Sequence, residues 1–241
     1  MTMRVRMADV NIRLGFRHPE LKRLFSAYRG GRGACEVAVR AADPLLADIV
    51  RRAETAPSQR QAEFLALLEA VSERLPLFGG ILIHAACLAV DGRAYLFLAP
   101  SGTGKTTHMR LWMDALGSRA TVVNGDKPFL RLRADGAYAY GNPWAGKEDW
   151  HANVRARLGA LVFIERARTD ALVSLSPAQA LPFLVRQVYM PRAEAALDRT
   201  LSIIDEIACR TPAYLMRCTM ERSAARVAIA GILRPEREAV N

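Results

Sequence analysis

The chain has 241 residues, of which 51% are hydrophobic and 24% charged, enough for one large domain or one domain with a small addition, and a disordered chain is excluded. Its net charge of +10 is carried almost entirely by scattered arginine, with no basic block and only 7% aromatic residues, so neither a base-stacking platform nor nucleic acid is expected. The longest apolar run, Gly79 to Val90, is about half of a bilayer span, so no membrane partner is expected either.

The start, MTMRVRMADV, has basic residues but no apolar stretch behind them, which argues against a secretory signal. The cysteines Cys35, Cys87, Cys209 and Cys218 form no CxxC pair and no metal-ligand spacing, and they read as reduced, mostly buried thiols of a cytoplasmic protein.

Residues 1–77 form a weakly patterned N-terminal α+β portion. Val5 to Leu14 alternates in part, Ala34 to Arg40 is a predicted strand, and Ser58 to Leu75 is a predicted amphipathic helix with Phe64, Leu65, Leu67, Leu68 and Val71 on one side. Residues 78–241 are patterned more sharply. Ile81 to Val90 is an apolar run of strand length interrupted by His84, Asp91-Gly92 is a hairpin turn, and Arg93 to Leu98 is the returning strand. A helix follows the loop after it, through Met109, Leu111, Trp112 and Leu116.

Further strands are predicted at Thr121 to Val123, at Phe129 to Arg133 with Ala137 to Tyr140, at Leu158 to Ile164 and at Leu172 to Leu175. Ser176-Pro177-Ala178-Gln179 combines an N-cap, a first-turn proline and a capping-box glutamine. Two helices, Glu194 to Arg210 and Glu221 to Leu233, flank a short strand at Tyr214 to Cys218.

Lysine is scarce, and three of the four lysines (Lys105, Lys127 and Lys147; the other is Lys22) fall within one stretch of a chain that otherwise uses arginine. An ammonium is a compact point charge, which suits a crowded phosphate site better than a planar guanidinium does. Ala99-Pro100-Ser101-Gly102-Thr103-Gly104-Lys105-Thr106-Thr107 matches the Walker A pattern with alanine for its first glycine. Small residues there let successive backbone N–H groups form an anion nest, and the helix that follows adds its N-terminal dipole. Alanine at 99 is tolerated only with ordinary backbone torsions.

In this pattern Lys105 reaches the β- and γ-phosphates and the Thr106 hydroxyl ligates Mg²⁺. Asp126, at the end of the next strand, faces the phosphates as metal ligand or acceptor-activating carboxylate. His84 is a candidate for orienting phosphate or for proton transfer. Lys147, beside Gly146, is a candidate phosphate or substrate contact, and Glu148 and Asp149 are candidate bases. Lys127 either screens a phosphate or pairs with carboxylates, His108 reads as a packing residue, and Glu165 as an ion-pair partner.

On these residues the chain resembles the HPr kinase/phosphorylase and ATP-dependent phosphoenolpyruvate carboxykinase superfamily. A hairpin leads directly into the Gly-rich loop, Ser101 to Thr107 is close to the carboxykinase form of Walker A, Ile83-His84-Ala85 resembles the histidine-bearing strand of HPr kinases, and Val123 to Asp126 falls where paired aspartates occur. It is more similar still to stand-alone HPr-kinase-like proteins, some of which phosphorylate a serine of lasso-peptide precursors. The shared stretches are Ala99 to Trp112, Val122 to Pro128, Gly141 to Lys147, Ser176 to Tyr189, and Met220-Glu221.

The resemblance implies an α/β fold whose mixed sheet feeds the phosphate loop through an antiparallel hairpin. It also implies phosphoryl transfer from ATP with Mg²⁺ to a serine of a protein or peptide. Asp126 is then metal ligand or base, and His84 a phosphate contact. The departure is Gly125, which stands where HPr kinases carry a second aspartate. A kinase for a small hydroxylated metabolite and a nucleotide-binding regulator without turnover are the alternatives. HPr kinases are hexamers, so an oligomer is left open.

Overall fold

The computed structural model describes residues 1–31 and 33–233; the end of the 78–241 portion lies outside the described residues. The chain opens with a hairpin of β1 (Thr2–Met7) and β2 (Val10–Gly15), and β3 (Val37–Arg40) pairs parallel to β2. Between β2 and β3 lies a 3₁₀ segment, Pro19–Tyr28, that buries Leu21, Phe25 and Tyr28. Helices α1 (Asp43–Arg52) and α2 (Gln59–Ser72) follow.

Ser58 caps α2 with a full capping box: its side chain accepts from Gln61 N, and the Gln61 side chain accepts from Ser58 N. The expected one-sided apolar stripe of this helix is only partly real. Leu67, Leu68 and Val71 are buried, whereas Phe64 is half-buried and Leu65 exposed, because the helix buries Ala62, Glu63 and Ala66 instead. Glu63 is fully enclosed, and its carboxylate accepts from Arg17 N, His18 N and His18 Nδ1 at 2.6, 2.9 and 2.5 Å, which ties α2 to the chain after β2.

The larger sheet runs β4 (Gly80–Leu82), β8 (Phe129–Arg133), β9 (Gly136–Tyr140), β10 (Arg155–Arg166), β6 (Arg93–Leu98), β5 (Ala86–Val90), β7 (Ala120–Asn124). On the other side of the end of β10 lies β12 (Ala213–Cys218), parallel to it, with β11 (Ala171–Leu175) antiparallel beyond. The sheet is mixed. β10 pairs antiparallel with β9 over Arg155 to Arg157 and parallel with β6 after that. The β5–β6 turn takes positive φ at both Asp91 and Gly92, as a two-residue hairpin turn with right-handed strand twist requires.

Both faces of this sheet are covered, which explains near-continuous apolar strands. Ala94, Leu96 and Leu98 of β6 face a core shared with α4 (Pro177–Val185) and α5 (Glu194–Arg210). Tyr95 and Phe97 face the opposite core, shared with α3 (Lys105–Leu116) and α6 (Arg222–Ile232). A third core joins the small sheet to the large one: Phe25 and Phe64 pack around Trp144, at 5.3 and 5.5 Å between ring centroids, with Phe129 on the far side at 6.0 Å.

Two expectations need correction. The apolar run 81–90 is not one strand: β4 and β5 are separated by Ile83 to Ala85, whose N–H groups go to two other segments, Pro128 O and Asp126 O in one and Gln187 O in the other. The cysteines are also mixed in exposure, Cys87 and Cys218 buried, Cys35 half-buried and Cys209 exposed. No described helix is long and apolar enough to cross a membrane.

Candidate active site

The loop from Ala99 to Gly104 joins β6 to α3. Gly102 and Gly104 carry positive φ (75° and 123°), and Ala99 does not, so alanine sits at that position without backbone strain. The loop carbonyls are held by cations. The buried Lys105 Nζ donates to Ala99 O at 2.8 Å and Pro100 O at 3.3 Å, and Arg166, at the end of β10, donates through Nη2 to Gly102 O at 2.6 Å and through Nε to Thr103 O at 3.0 Å. The loop thus sets two glycines with positive φ immediately before a helix, and Thr103 N donates to Pro100 O at 3.3 Å.

Beside Pro100 and Thr103 opens an apolar cleft of about 520 Å³, floored by Leu98, Phe163, Phe183 and Leu215 and rimmed by Arg186 and Arg217. Arg166 carried no signal in the sequence beyond being one arginine among many. Met220 lies against Gly104: a Cβ placed there would stand 3.2 Å from its sulfur.

Asp126 belongs to a second segment, shaped by two buried asparagines. Asn124 Oδ1 accepts from Asp126 N at 2.9 Å and Lys127 N at 2.7 Å, and its Nδ2 donates to Asn142 O at 3.0 Å. Asn142 Nδ2 donates in turn to Lys127 O at 2.6 Å, while its Oδ1 accepts from Trp144 N at 2.9 Å. The two amides therefore lock 124–127 to 142–144 with their buried polar groups satisfied.

His84 arrives from the β4–β5 break, its own N–H on Gln187 O at 2.7 Å and its Nε2 3.3 Å from Asp126 Oδ1. Lys127 Nζ donates to Asp126 Oδ2. Burial would raise the Asp126 carboxyl, but the His84 hydrogen bond and the charge and hydrogen bond of Lys127 outweigh it and hold the group well below the usual carboxylate range. Burial lowers the Lys105 ammonium from its ordinary value, the Asp126 charge opposes that, and Lys127 adds to it. Asp126 and Lys105 thus act on each other across the space between the two segments.

Gly125 and Gly146 are packed, not merely flexible. A Cβ on Gly125 would come within 3.1 Å of Ala145 O, and one on Gly146, at φ 78°, within 2.9 Å of Asp126 Cβ. A second aspartate at 125 therefore has no room without moving the 143–147 loop.

Lys147, Glu148 and Asp149 are exposed on that loop. Glu148 pairs with Arg110 of α3 at 3.6 Å and Asp149 with His151 at 3.6 Å, and among the described residues no hydrogen bond or ion pair joins Lys147, Glu148 or Asp149 to Asp126. His108 is buried, accepts from Trp112 Nε1 at Nε2 (3.1 Å), and burial lowers its pKa to about 4 despite the Asp170 charge, as befits a packing residue. Glu165 pairs with Arg217 at 3.2 Å.

No protein-family profile matches the chain, and no curated protein does. Among solved structures it is similar to the Hpr(Ser) kinase/phosphatase from Coxiella burnetii, at 10% identity and a TM-score of 0.40, over 63% of this chain and 90% of that one. A likeness that distant carries no weight for the activity.

Oxygen donors suited to Mg²⁺ are present in the Asp126 carboxylate and the half-buried Thr106 hydroxyl. Mg²⁺ takes one or two protein oxygens and completes its shell with water and phosphate, and this donor set fits that habit. It does not need the cluster of three or more His, Cys, Asp or Glu side chains that is absent among the described residues.

Proposed function

We propose that the protein is an ATP- and Mg²⁺-dependent kinase that transfers the γ-phosphoryl group to a serine hydroxyl of a protein or peptide. The observation that carries this reading is that β5 lies between β6 and β7, pairing Ala86 with Phe97 and Cys87 with Asn124, so that the Lys105-bearing loop and Asp126, flanked by His84 and Lys127, leave the same end of the sheet. A nest that only stored an anion has no use for an ionised carboxylate facing it.

The loop 100–107 would hold the triphosphate through its N–H groups and Lys105, and Thr106 and Asp126 would hold Mg²⁺, which neutralises charge on the phosphate oxygens. Lys105 must leave Ala99 O and Pro100 O to do so. The apolar cleft beside Pro100 is space for the nucleoside.

Of its two candidate roles we assign Asp126 to the metal, since a carboxylate is a hard oxygen donor for Mg²⁺. In the transfer, a bond forms between the acceptor oxygen and the γ-phosphorus, the bond from that phosphorus to the β-bridging oxygen breaks, and ADP leaves with the electron pair. We assign the hydroxyl proton to His84, whose Nε2 lies 3.3 Å from Asp126 Oδ1.

The test is transfer from γ-labelled ATP to serine peptides and, in parallel, to small hydroxylated compounds, by the wild type and by Lys105→Ala. Labelled phosphoserine from the wild type alone supports the reading. Equal label from both proteins, or label only on small compounds, overturns it.

A further inference from the structure

Leu24 and Leu65 are large apolar side chains left 41% and 39% exposed, on two different elements, the 3₁₀ segment and α2. They face one cleft. It measures about 440 Å³; Leu24, Phe64, Leu65 and Leu68 form one wall, and Pro143, Trp144, Gly146 and Lys127 the other. The second wall is the loop that packs on Asp126, since Gly146 lies against Asp126 Cβ and Lys127 donates to its carboxylate. The walls are fixed to each other: Trp144 Nε1 donates to Phe64 O at 2.8 Å, and the two rings stack.

Past Leu24, Gln61 and Phe64 the cleft continues into a second of about 500 Å³, where Arg23 and Arg60 face a single carboxylate, Glu20. Scattered exposed leucines need no explanation, but two that line one groove together with Lys127, the residue that donates to Asp126, do.

We propose that this groove seats the acceptor peptide: an apolar side chain beside the phosphorylated serine lies against Leu24, Leu65 and Trp144, and an acidic residue farther along meets Arg23 and Arg60. The proposal rests on the kinase reading above and gives it a substrate class. Two arguments favour an extended peptide over a small metabolite. The groove adjoins the Asp126 segment at Lys127, and it shares Leu24, Gln61 and Phe64 with a second cleft, more space than a single small hydroxylated molecule would fill. Its chemistry changes along its length: Leu24, Phe64, Leu65 and Trp144 line the first cleft beside Lys127 and Asp149, and Arg23 and Arg60 outnumber Glu20 in the second, a pattern that alternate positions of an extended chain read separately. The N-terminal portion is then part of the substrate site, supplying the wall that the P-loop portion lacks.

The experiment is phosphorylation of a degenerate peptide library with one fixed serine, with Mg-ATP, by the wild type and by Leu65→Gln, Leu24→Gln, Arg60→Glu and, as a control, Leu77→Gln, a leucine exposed outside the groove. The wild type is expected to select Leu, Ile, Met or Phe at one position near the serine and Asp or Glu at a more distant one. Leu65→Gln and Leu24→Gln should each erase the apolar preference and raise KM for a selected peptide roughly tenfold, the loss expected when part of a buried apolar contact is removed. Arg60→Glu should reverse the acidic preference, and Leu77→Gln should change neither. Because Leu24, Leu65 and Arg60 are exposed, thermal melting should show all four variants folded.

Label spread evenly over the library, or preferences unchanged in Leu65→Gln and Leu24→Gln, overturns the groove and leaves the kinase reading standing. A wild type that labels no library member but labels a small hydroxylated compound overturns both.

Discussion

The loop 99–107 and the segment 124–127 face the same space but are built by opposite means. The first is contiguous: strand, Gly-rich turn and helix follow one another, and its chemistry comes from backbone groups that any sequence with those torsions would present. The second is assembled from afar. Asp126 is aimed by Asn124 and Asn142, braced by Ala85 N on its carbonyl, charged by His84 and Lys127, and covered by Gly146. A glycine-rich loop can thus be written in nine residues, whereas placing the Asp126 carboxylate needs the rest of the fold.

The largest expected effects remove the charged group from each half. Lys105→Ala and Asp126→Asn should each lower kcat by about 10² to 10³-fold or more, the cost of deleting one preorganised electrostatic partner. They should differ in kind: Asp126→Asn should weaken the Mg²⁺ dependence of nucleotide binding, and Lys105→Ala should weaken nucleotide binding with or without metal, as titration calorimetry can show. His84→Gln should slow transfer by about 10²-fold or more if His84 takes the proton. Nucleotide binding by this variant close to that of the wild type separates proton transfer from phosphate contact.

The next effect concerns the assembled half alone. Asn142→Ala leaves Lys127 O and Trp144 N without their side-chain partner, so it should cost about 1–3 kcal/mol in chemical denaturation and should also cut activity, whereas among the described residues no comparable amide supports the contiguous loop. Gly125→Asp, which restores the paired carboxylates of the resembled family, should lower stability and not raise activity, because its Cβ meets Ala145 O.

These contrasts follow what was legible in the residues. The hairpin at Asp91-Gly92, the capping box at Ser176, the helix over Glu194–Arg210 and the loop itself depend on local chemistry, and each lies where local chemistry puts it. The β4–β5 break was not legible, since Ile83 and Ala85 are as apolar as a strand interior and only their distant partners turn the chain. Helix α1 buries Ile49 alone, which leaves no periodic stripe, and the 3₁₀ segment 19–28 hides a three-residue cluster among exposed neighbours. Arg166 and Asn142 matter through contacts 64 and 15 residues away, a property that no spacing rule displays. Glycine beside Lys147 marks a close approach in the sequence, and the structure adds what that approach is to: Gly146 packs against Asp126, with Lys147 and Glu148 exposed beside it.

The smallest effect sharpens the comparison through pH. His108, on the helix that follows the loop, has its pKa lowered to about 4 by burial, against 6.5 for the free side chain. The folded state therefore binds its proton less readily than the unfolded chain. Stability from this site is complete above about pH 6.5 and is lost as the pH falls toward about 4, by an amount on the order of 3 kcal/mol. Asp126 has the same sign at lower pH: its benefit is present above the ordinary carboxylate value of 3.8 and lost below it. His108→Gln should flatten the first limb of the stability curve and leave the second, as urea unfolding at a series of pH values would record.

The most direct measurement is phosphoserine formation from Mg-ATP, read by mass spectrometry, for the wild type, Lys105→Ala and Asp126→Asn under one set of conditions. The account predicts product from the wild type that vanishes on chelating the metal and in both variants. Undiminished product from Asp126→Asn would contradict it, because the cup alone would then suffice for transfer.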